Sequence, residues 1–202
     1  MISLLLAVVA ADPTIFYSKS FPGSSPAYVE ITVARDGTAV YKEKPDDDQP
    51  VKLKLKAEEA EAIFGLAEKL DRFKNKLESG LPVAKMGEKT FRWVEDKPLH
   101  EQKFNYSTEE SCRELQEWFE KIVETEMHLF ALERTARFDK LGVNKALLQL
   151  EASWDKKRLV ALEQFYPWLN RIIKGDSYLN MARERAEKLL ATFQAPPPAP
   201  AK

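Results

Sequence analysis

The periodicity of the apolar residues changes once along this chain, near Ser107, and that change limits what the chain can fold into. Up to Tyr106, apolar and polar side chains alternate in short runs separated by turn formers. Beyond Ser107 the apolar residues return every three or four positions. The first pattern sends one face of each strand into a core, and the second does the same for one stripe of a helix. The chain therefore reads as α+β. An antiparallel sheet of about five to six strands, with helices packed on one face, is followed by an all-helical C-terminal segment.

The strongest local signal is Tyr28-Val-Glu-Ile-Thr-Val-Ala34, then Arg35-Asp-Gly37, then Thr38-Ala-Val-Tyr-Lys42. Alternation on both sides of Asp36-Gly37 is a hairpin signature. Charge selects its register. A two-residue loop would set Glu30 opposite Glu43. A three-residue loop with Gly37 in the left-handed region sets Glu30 opposite Lys42 and Ile31 opposite Tyr41. Like charges face to face are unfavourable, so the second register is expected, with Val29, Ile31 and Val33 facing the core.

Further strands are expected over 14–18, 51–56, 90–94 and 101–106. The strict Val51-Lys-Leu-Lys-Leu-Lys56 alternation suits an edge or half-exposed strand, where lysines discourage further pairing. Phe91 with Trp93, and Phe104 with Tyr106, each share a face and are expected to line the core side of the sheet. Residues 57–73 carry Ala60, Ile63, Phe64, Ala67, Leu70 and Phe73 at helical spacing, with acids early and Lys69 and Arg72 late, as a helix dipole favours.

Ser107-Thr-Glu-Glu110 is a capping box that starts a long helix running to about Lys140. Cys112, Leu115, Phe119, Ile122, Leu129 and Leu132 supply most of its apolar stripe. Helical patterns follow over 145–154, with Leu147, Leu148 and Leu150, and over 159–173, with Pro167 at a new first turn or a kink. A last one over 178–193 carries Met181, Ala182, Ala186, Leu189 and Leu190, with Gly175-Asp-Ser before it as a cap. The expected organisation is thus a signal peptide over 1–11, a β-rich part with one helix over 12–107, and a helical part over 108–194 packed on the sheet as one continuous unit. Residues 195–202 form a Pro/Ala tail.

Residues 2–11 are an apolar run too short to span a bilayer, followed at once by Asp12-Pro13. The run reads as a secretory signal without the usual positive n-region; the alternative is a buried first strand in a cytoplasmic protein. With 31 basic and 32 acidic side chains there is no basic excess of the kind nucleic-acid binders carry. A single cysteine excludes an intrachain disulfide, and Cys112, on an apolar stripe, reads as a small buried hydrophobe.

The residues that most hydrolytic and metal chemistry relies on are scarce. Neither His100 nor His128 stands in an HExxH pattern. Glu124 and His128, four apart on one helix, supply two ligands where a zinc site needs at least three, and they read as a surface pair. Asp46-Asp-Asp48 lacks the alternate spacing of a calcium loop. No GxSxG, GxxxxGK or GxGxxG occurs. No catalytic, cofactor-binding or metal-binding residue is assigned.

The Tyr28–Tyr41 hairpin with its Asp-Gly-Thr turn, the helix over 57–73 and the Phe104-Asn-Tyr106 strand leading into another helix resemble a group of uncharacterised exported bacterial α+β domains. The resemblance covers roughly residues 26–125. It implies export and a fold, and no activity. The expected function is that of an exported, periplasmic or extracellular, non-enzymatic module that binds another protein or an envelope component. No nucleic-acid partner and no transmembrane span are expected, and the C-terminal helices are a candidate homo-oligomer contact. The alternative is a carboxylate-dependent hydrolase acting on a carbohydrate or envelope polymer. Mass spectrometry of the protein taken from its host should find a mature N-terminus at Ala11 or Asp12; an intact Met1 in the cytosolic fraction would rule out export by cleavage.

Overall fold

The computed structural model describes residues 12–95 and 97–195. The expected signal segment 1–11 and all but the first residue of the Pro/Ala tail lie outside the described residues. The chain divides into two compact units, Met1–Phe119 and Glu120–Lys202.

The first unit is built on a six-stranded antiparallel sheet. Its strands are β1 (Thr14–Ser20), β2 (Tyr28–Ala34), β3 (Thr38–Lys42), β4 (Val51–Lys54), β5 (Glu88–Val94) and β6 (Pro98–Phe104), in the order β4-β3-β2-β1-β5-β6. The fold is α+β, as the change of period implies. In the β2–β3 hairpin Glu30 stands opposite Lys42 and Ile31 opposite Tyr41. The Lys42 ammonium lies 3.1 Å from Glu30 Oε1, and Gly37 takes a φ of 89°. Val29, Ile31 and Val33 are buried, and the lysine-rich β4 is an edge.

One face of the sheet carries the core of this unit. Tyr17, Ile31, Val33, Phe91 and Trp93 project from it and are buried. Helix α1 (Ala57–Lys69) lays Ile63 and Phe64 on that face, with the Phe64 ring edge-on to Trp93 at 5.8 Å. The first turns of α2 (Glu110–Phe138) add Cys112, Leu115 and Phe119, and Phe119 stacks on Tyr17 at 4.7 Å. Aromatic pairs of this kind contribute about 0.5–1.5 kcal/mol beyond the area they bury. Ser107 Oγ accepts the Glu109 N–H at 3.3 Å, but α2 begins at Glu110, so Ser107 lies ahead of the helix and is not its N-cap as expected.

Two further details of this unit differ from the expectation. The helix over 57–73 ends at Lys69, because Asp71, Arg72 and Phe73 adopt φ of 50°, 54° and 64°. This left-handed turn, closed by the Phe73 N–H on Leu70 O at 3.0 Å, turns Phe73 inward to stack on Phe91 at 5.2 Å. A continued right-handed helix would carry the chain past that pocket. The last strand ends at Phe104, so Tyr106 is exposed and does not join the core ladder.

The second unit comprises α2 from Glu120 onward, α3 (Val143–Asp155), a 3₁₀ turn over Leu162–Phe165, α4 (Tyr166–Lys174) and α5 (Asn180–Gln194). Leu132, Leu147, Leu150, Phe165, Ile172, Leu189 and Phe193 anchor its core. The helix expected from 159 starts later, since Lys157 and Ala161 take φ of 58° and 48°; Pro167 then sits in the first turn of α4. Leu148 and Met181 are 50% and 55% exposed, because each lies beside the stripe of its helix, not on it. The cap expected at Gly175-Asp-Ser is instead a turn in which the Tyr178 N–H donates to Gly175 O at 3.1 Å, and α5 has no side-chain cap. Among the described residues no helix is long and apolar enough to cross a membrane.

The hairpin turn offers a direct check. A Cβ at Gly37 would lie 2.6 Å from the Leu55 carbonyl oxygen, on a residue already in the left-handed region. Gly37→Ala is expected to cost about 2–3 kcal/mol in chemical denaturation; a loss below about 0.5 kcal/mol would mean the turn is not held as described.

Candidate functional site

The candidate site of the first unit begins where β6 stops. Asn105 leaves the ladder, and all four of its polar groups find partners. Its N–H donates to Glu78 Oε2 at 2.6 Å, and its carbonyl accepts from Lys89 Nζ at 2.7 Å. Its side-chain amide acts like a short piece of strand, Oδ1 accepting the Met86 N–H at 2.8 Å and Nδ2 donating to Ala84 O at 3.0 Å. The Ser79 N–H adds a bond to Tyr106 O at 2.9 Å. Residues 76–87, which form neither helix nor strand, are thereby fastened to the end of the sheet.

The same segment passes close to the end of β1 at Gly87. That residue has a φ of 93°, and a Cβ there would lie 2.7 Å from Phe21 Cβ and 2.9 Å from Ser20 O. Between the segment, the Ser20–Pro22 turn and the end of β6 lies a cavity of about 470 Å³. Its walls include Phe21, Pro22 and Phe104, with Glu78, Lys85, Glu88 and Lys103 as the charged members. The volume is within the range of small-molecule sites.

The four charges differ in how far they are engaged. Glu78 is held below the ordinary carboxylate range, first by the Asn105 N–H and also by the Gly80 N–H at 3.2 Å. Its oxygens are directed into the wall. Glu88 Oε1 lies 3.9 Å from Lys103 Nζ in an exposed pair. Lys85 makes no hydrogen bond or ion pair among the described residues. Lys89, only 3% exposed, stands behind Asn105 with its ammonium 5.8 Å from the Phe104 ring centre. Such a site can hold a ligand, but Glu78 stays ionised near neutrality and offers no proton to donate.

The second unit holds a different polar group. Glu124 and His128 are not a surface pair: they are half-buried and converge on Ser153. Ser153 Oγ lies 2.7 Å from Glu124 Oε1 and 2.8 Å from His128 Nε2, and Arg158 Nε donates to Glu124 Oε2 at 2.9 Å. A carboxylate can only accept, so the single hydroxyl proton goes to Glu124 and His128 must donate its Nε2–H to Oγ. Burial works to raise the Glu124 carboxyl, but the bonds from Ser153 and Arg158 outweigh it and hold it low. Burial lowers His128 against the pull of Glu124. In a nucleophilic triad the histidine must take the serine proton and the acid must orient the histidine. Here the serine donates its proton to the acid and not to the histidine, and the group fastens the 153–158 stretch to α2.

Two neighbouring residues of α2 do the same for the next stretch. Thr125 Oγ1 accepts the Val160 N–H at 3.1 Å, and Glu126 Oε1 accepts Gln164 Nε2 at 2.8 Å. Both residues are fully buried, filling the gap in the apolar stripe between Ile122 and Leu129. Glu126 Oε2 has no hydrogen-bond partner among the described residues, and burial pushes the carboxyl up to about 7. That burial was readable in principle, because position 126 stands four after Ile122 and three before Leu129.

Among the described residues no group of three or more His, Cys, Asp or Glu is placed to hold a metal ion. Cys112 is buried, and burial pushes its thiol up to about 11, which keeps it unreactive. His100 stands opposite Trp93 on β6, in the other unit from His128. Comparison with protein families, with characterised proteins and with solved structures finds no match for this chain.

Glu126 carries a pH signature. Its carboxyl sits near 7 in the fold against an ordinary value of 4.5, so the folded state binds more protons between those values. Its contribution is therefore full below the lower value and is lost as pH rises through the upper one. The loss is on the order of 3 kcal/mol. Glu126→Gln is expected to match the parent in urea denaturation at pH 5 and to exceed it at pH 8; parallel pH profiles would refute this assignment.

Proposed function

We propose that this protein is an exported, non-enzymatic binding module that holds an envelope component, or part of an exported partner, in the cavity at the end of its sheet. The observation that carries the reading is the state of the cavity's two carboxylates. Glu78 is occupied by backbone N–H groups and Glu88 is paired with Lys103, while the half-buried Phe21 and its neighbour Pro22 offer an apolar surface to a ligand. Glycoside hydrolysis needs one carboxylic acid raised to carry a proton and a second carboxylate left free, and this pair supports neither role. Export is supported by the apolar run ahead of Asp12-Pro13.

Homo-oligomerisation through the helical part has its own support. Phe138 and Leu141 are 81% and 76% exposed and flank Lys140, whose ammonium reaches Ser177 Oγ at 2.8 Å, two residues from exposed Leu179. Large apolar side chains grouped this way are a contact surface more often than a solvent-facing one.

Mass spectrometry of a solvent extract from the full chain, isolated from its host's envelope fraction, tests the reading. It should recover a ligand in near one-to-one ratio, chemically unchanged after incubation, and Ser20→Trp, which places a large side chain at the exposed rim, should lose it. Turnover in a glycan or ester screen that disappears in Glu78→Gln or Glu88→Gln would overturn the reading, as would ligand retained in full by Ser20→Trp.

A further inference from the structure

Resting on the reading of the cavity as a binding site, we infer that its ligand is a small amphipathic anion, with one acidic head held by Lys85 and Lys103 and an apolar body laid against Phe21 and Pro22. The argument begins with what each wall offers. Phe21 and Pro22 present carbon to the cavity. The segment fastened by Asn105 also exposes Leu81, Val83 and Met86.

The charges decide the head group. A cation would need an uncommitted carboxylate. Glu78 directs its oxygens to the N–H groups of Asn105 and Gly80, and Glu88, in its loose exposed pair with Lys103, is already matched by that lysine. An anion meets the opposite situation. Lys85 has no partner among the described residues. Among the described residues Lys103 has the exposed contact to Glu88 at 3.9 Å, a weak pair whose two charges offset each other, so the surplus charge at the cavity mouth is that of Lys85. Behind the wall, the buried Lys89 ammonium adds a further positive charge in a region of low dielectric. A neutral amphiphile would leave the exposed Lys85 ammonium unused.

The wall is also set before any ligand arrives. Asn105 has each of its polar groups bonded, and Gly87 is fixed in a close approach that excludes a side chain. Preorganisation of this kind lowers the ordering cost of binding.

The test uses the full chain freed of bound ligand and titrated calorimetrically with decanoate, decyl phosphate, decanol and decyltrimethylammonium, each below its micelle concentration. Decanoate or decyl phosphate should bind one per chain, the tighter of the two naming the head group, and decanol should bind at least about tenfold more weakly. Lys85→Gln should cost the better anion about tenfold, roughly one charged contact, whereas Lys85→Arg should retain it. Ser20→Trp, folded by circular dichroism, should abolish binding. Equal binding of decanol or decyltrimethylammonium, lost in Ser20→Trp, would overturn the anion and leave the cavity reading standing. Anion binding unchanged in Ser20→Trp would overturn both. No binding by any of the four would overturn the amphiphile, while the envelope extract still judges the cavity.

Discussion

Asn105 is the point on which the β-rich unit turns. A strand that ended one residue earlier or later would leave the 76–87 segment without its strand-like partner and Glu78 without its shortest hydrogen bond. The residue also explains an otherwise costly choice, a lysine on the core face of β5. Lys89 alternates with Phe91 and Trp93 and so points inward, where an uncompensated ammonium would be strongly unfavourable. Its charge-assisted bond to the Asn105 carbonyl gives it a partner at the place where the strand runs out of ladder.

Carboxylates carry the same kind of duty in both units. Glu78 holds the irregular segment, Glu124 holds Ser153 and Arg158, and Glu151 joins α3 to Arg185 and Lys188 of α5. A carboxylate that accepts two or more directed hydrogen bonds is a good clamp and a poor acid. The abundance of acidic residues is therefore consistent with a molecule that uses them to fix turns and crossovers. Glu126 is the exception, a carboxyl wholly within the helical unit with one bond and a tendency to keep its proton.

Much of the architecture was legible in the chain, and the reasons are physical. Period-two alternation, with a β-branched and aromatic run for the first, named the six strands, and the Glu30–Lys42 pairing chose a register that a slip would have turned inside out. The α2 stripe was legible because each of its members recurs at helical spacing. What stayed hidden depends on contacts distant in sequence. Nothing near Asn105 announces that its side chain will pair with residues 84 and 86, and nothing near Phe73 announces a left-handed turn. Leu148 and Met181 were misplaced inward because apolar character alone does not choose between two adjacent positions on a helix. The cavity was missed for the same reason, since Ser20, Glu78 and Lys103 meet only after three separate segments have found their places.

The boundary between the two compact units falls between Phe119 and Glu120, inside a helix of 29 residues. Most chains change units at an exposed linker, where proteases cut and where gene fusions succeed. Here the backbone hydrogen bonds of consecutive turns run straight across the boundary. A cut there would strand several N–H and C=O groups on each side. Neither unit is therefore a natural cassette: the helical part cannot be exchanged, trimmed or inherited separately without breaking the helix that also completes the core of the sheet.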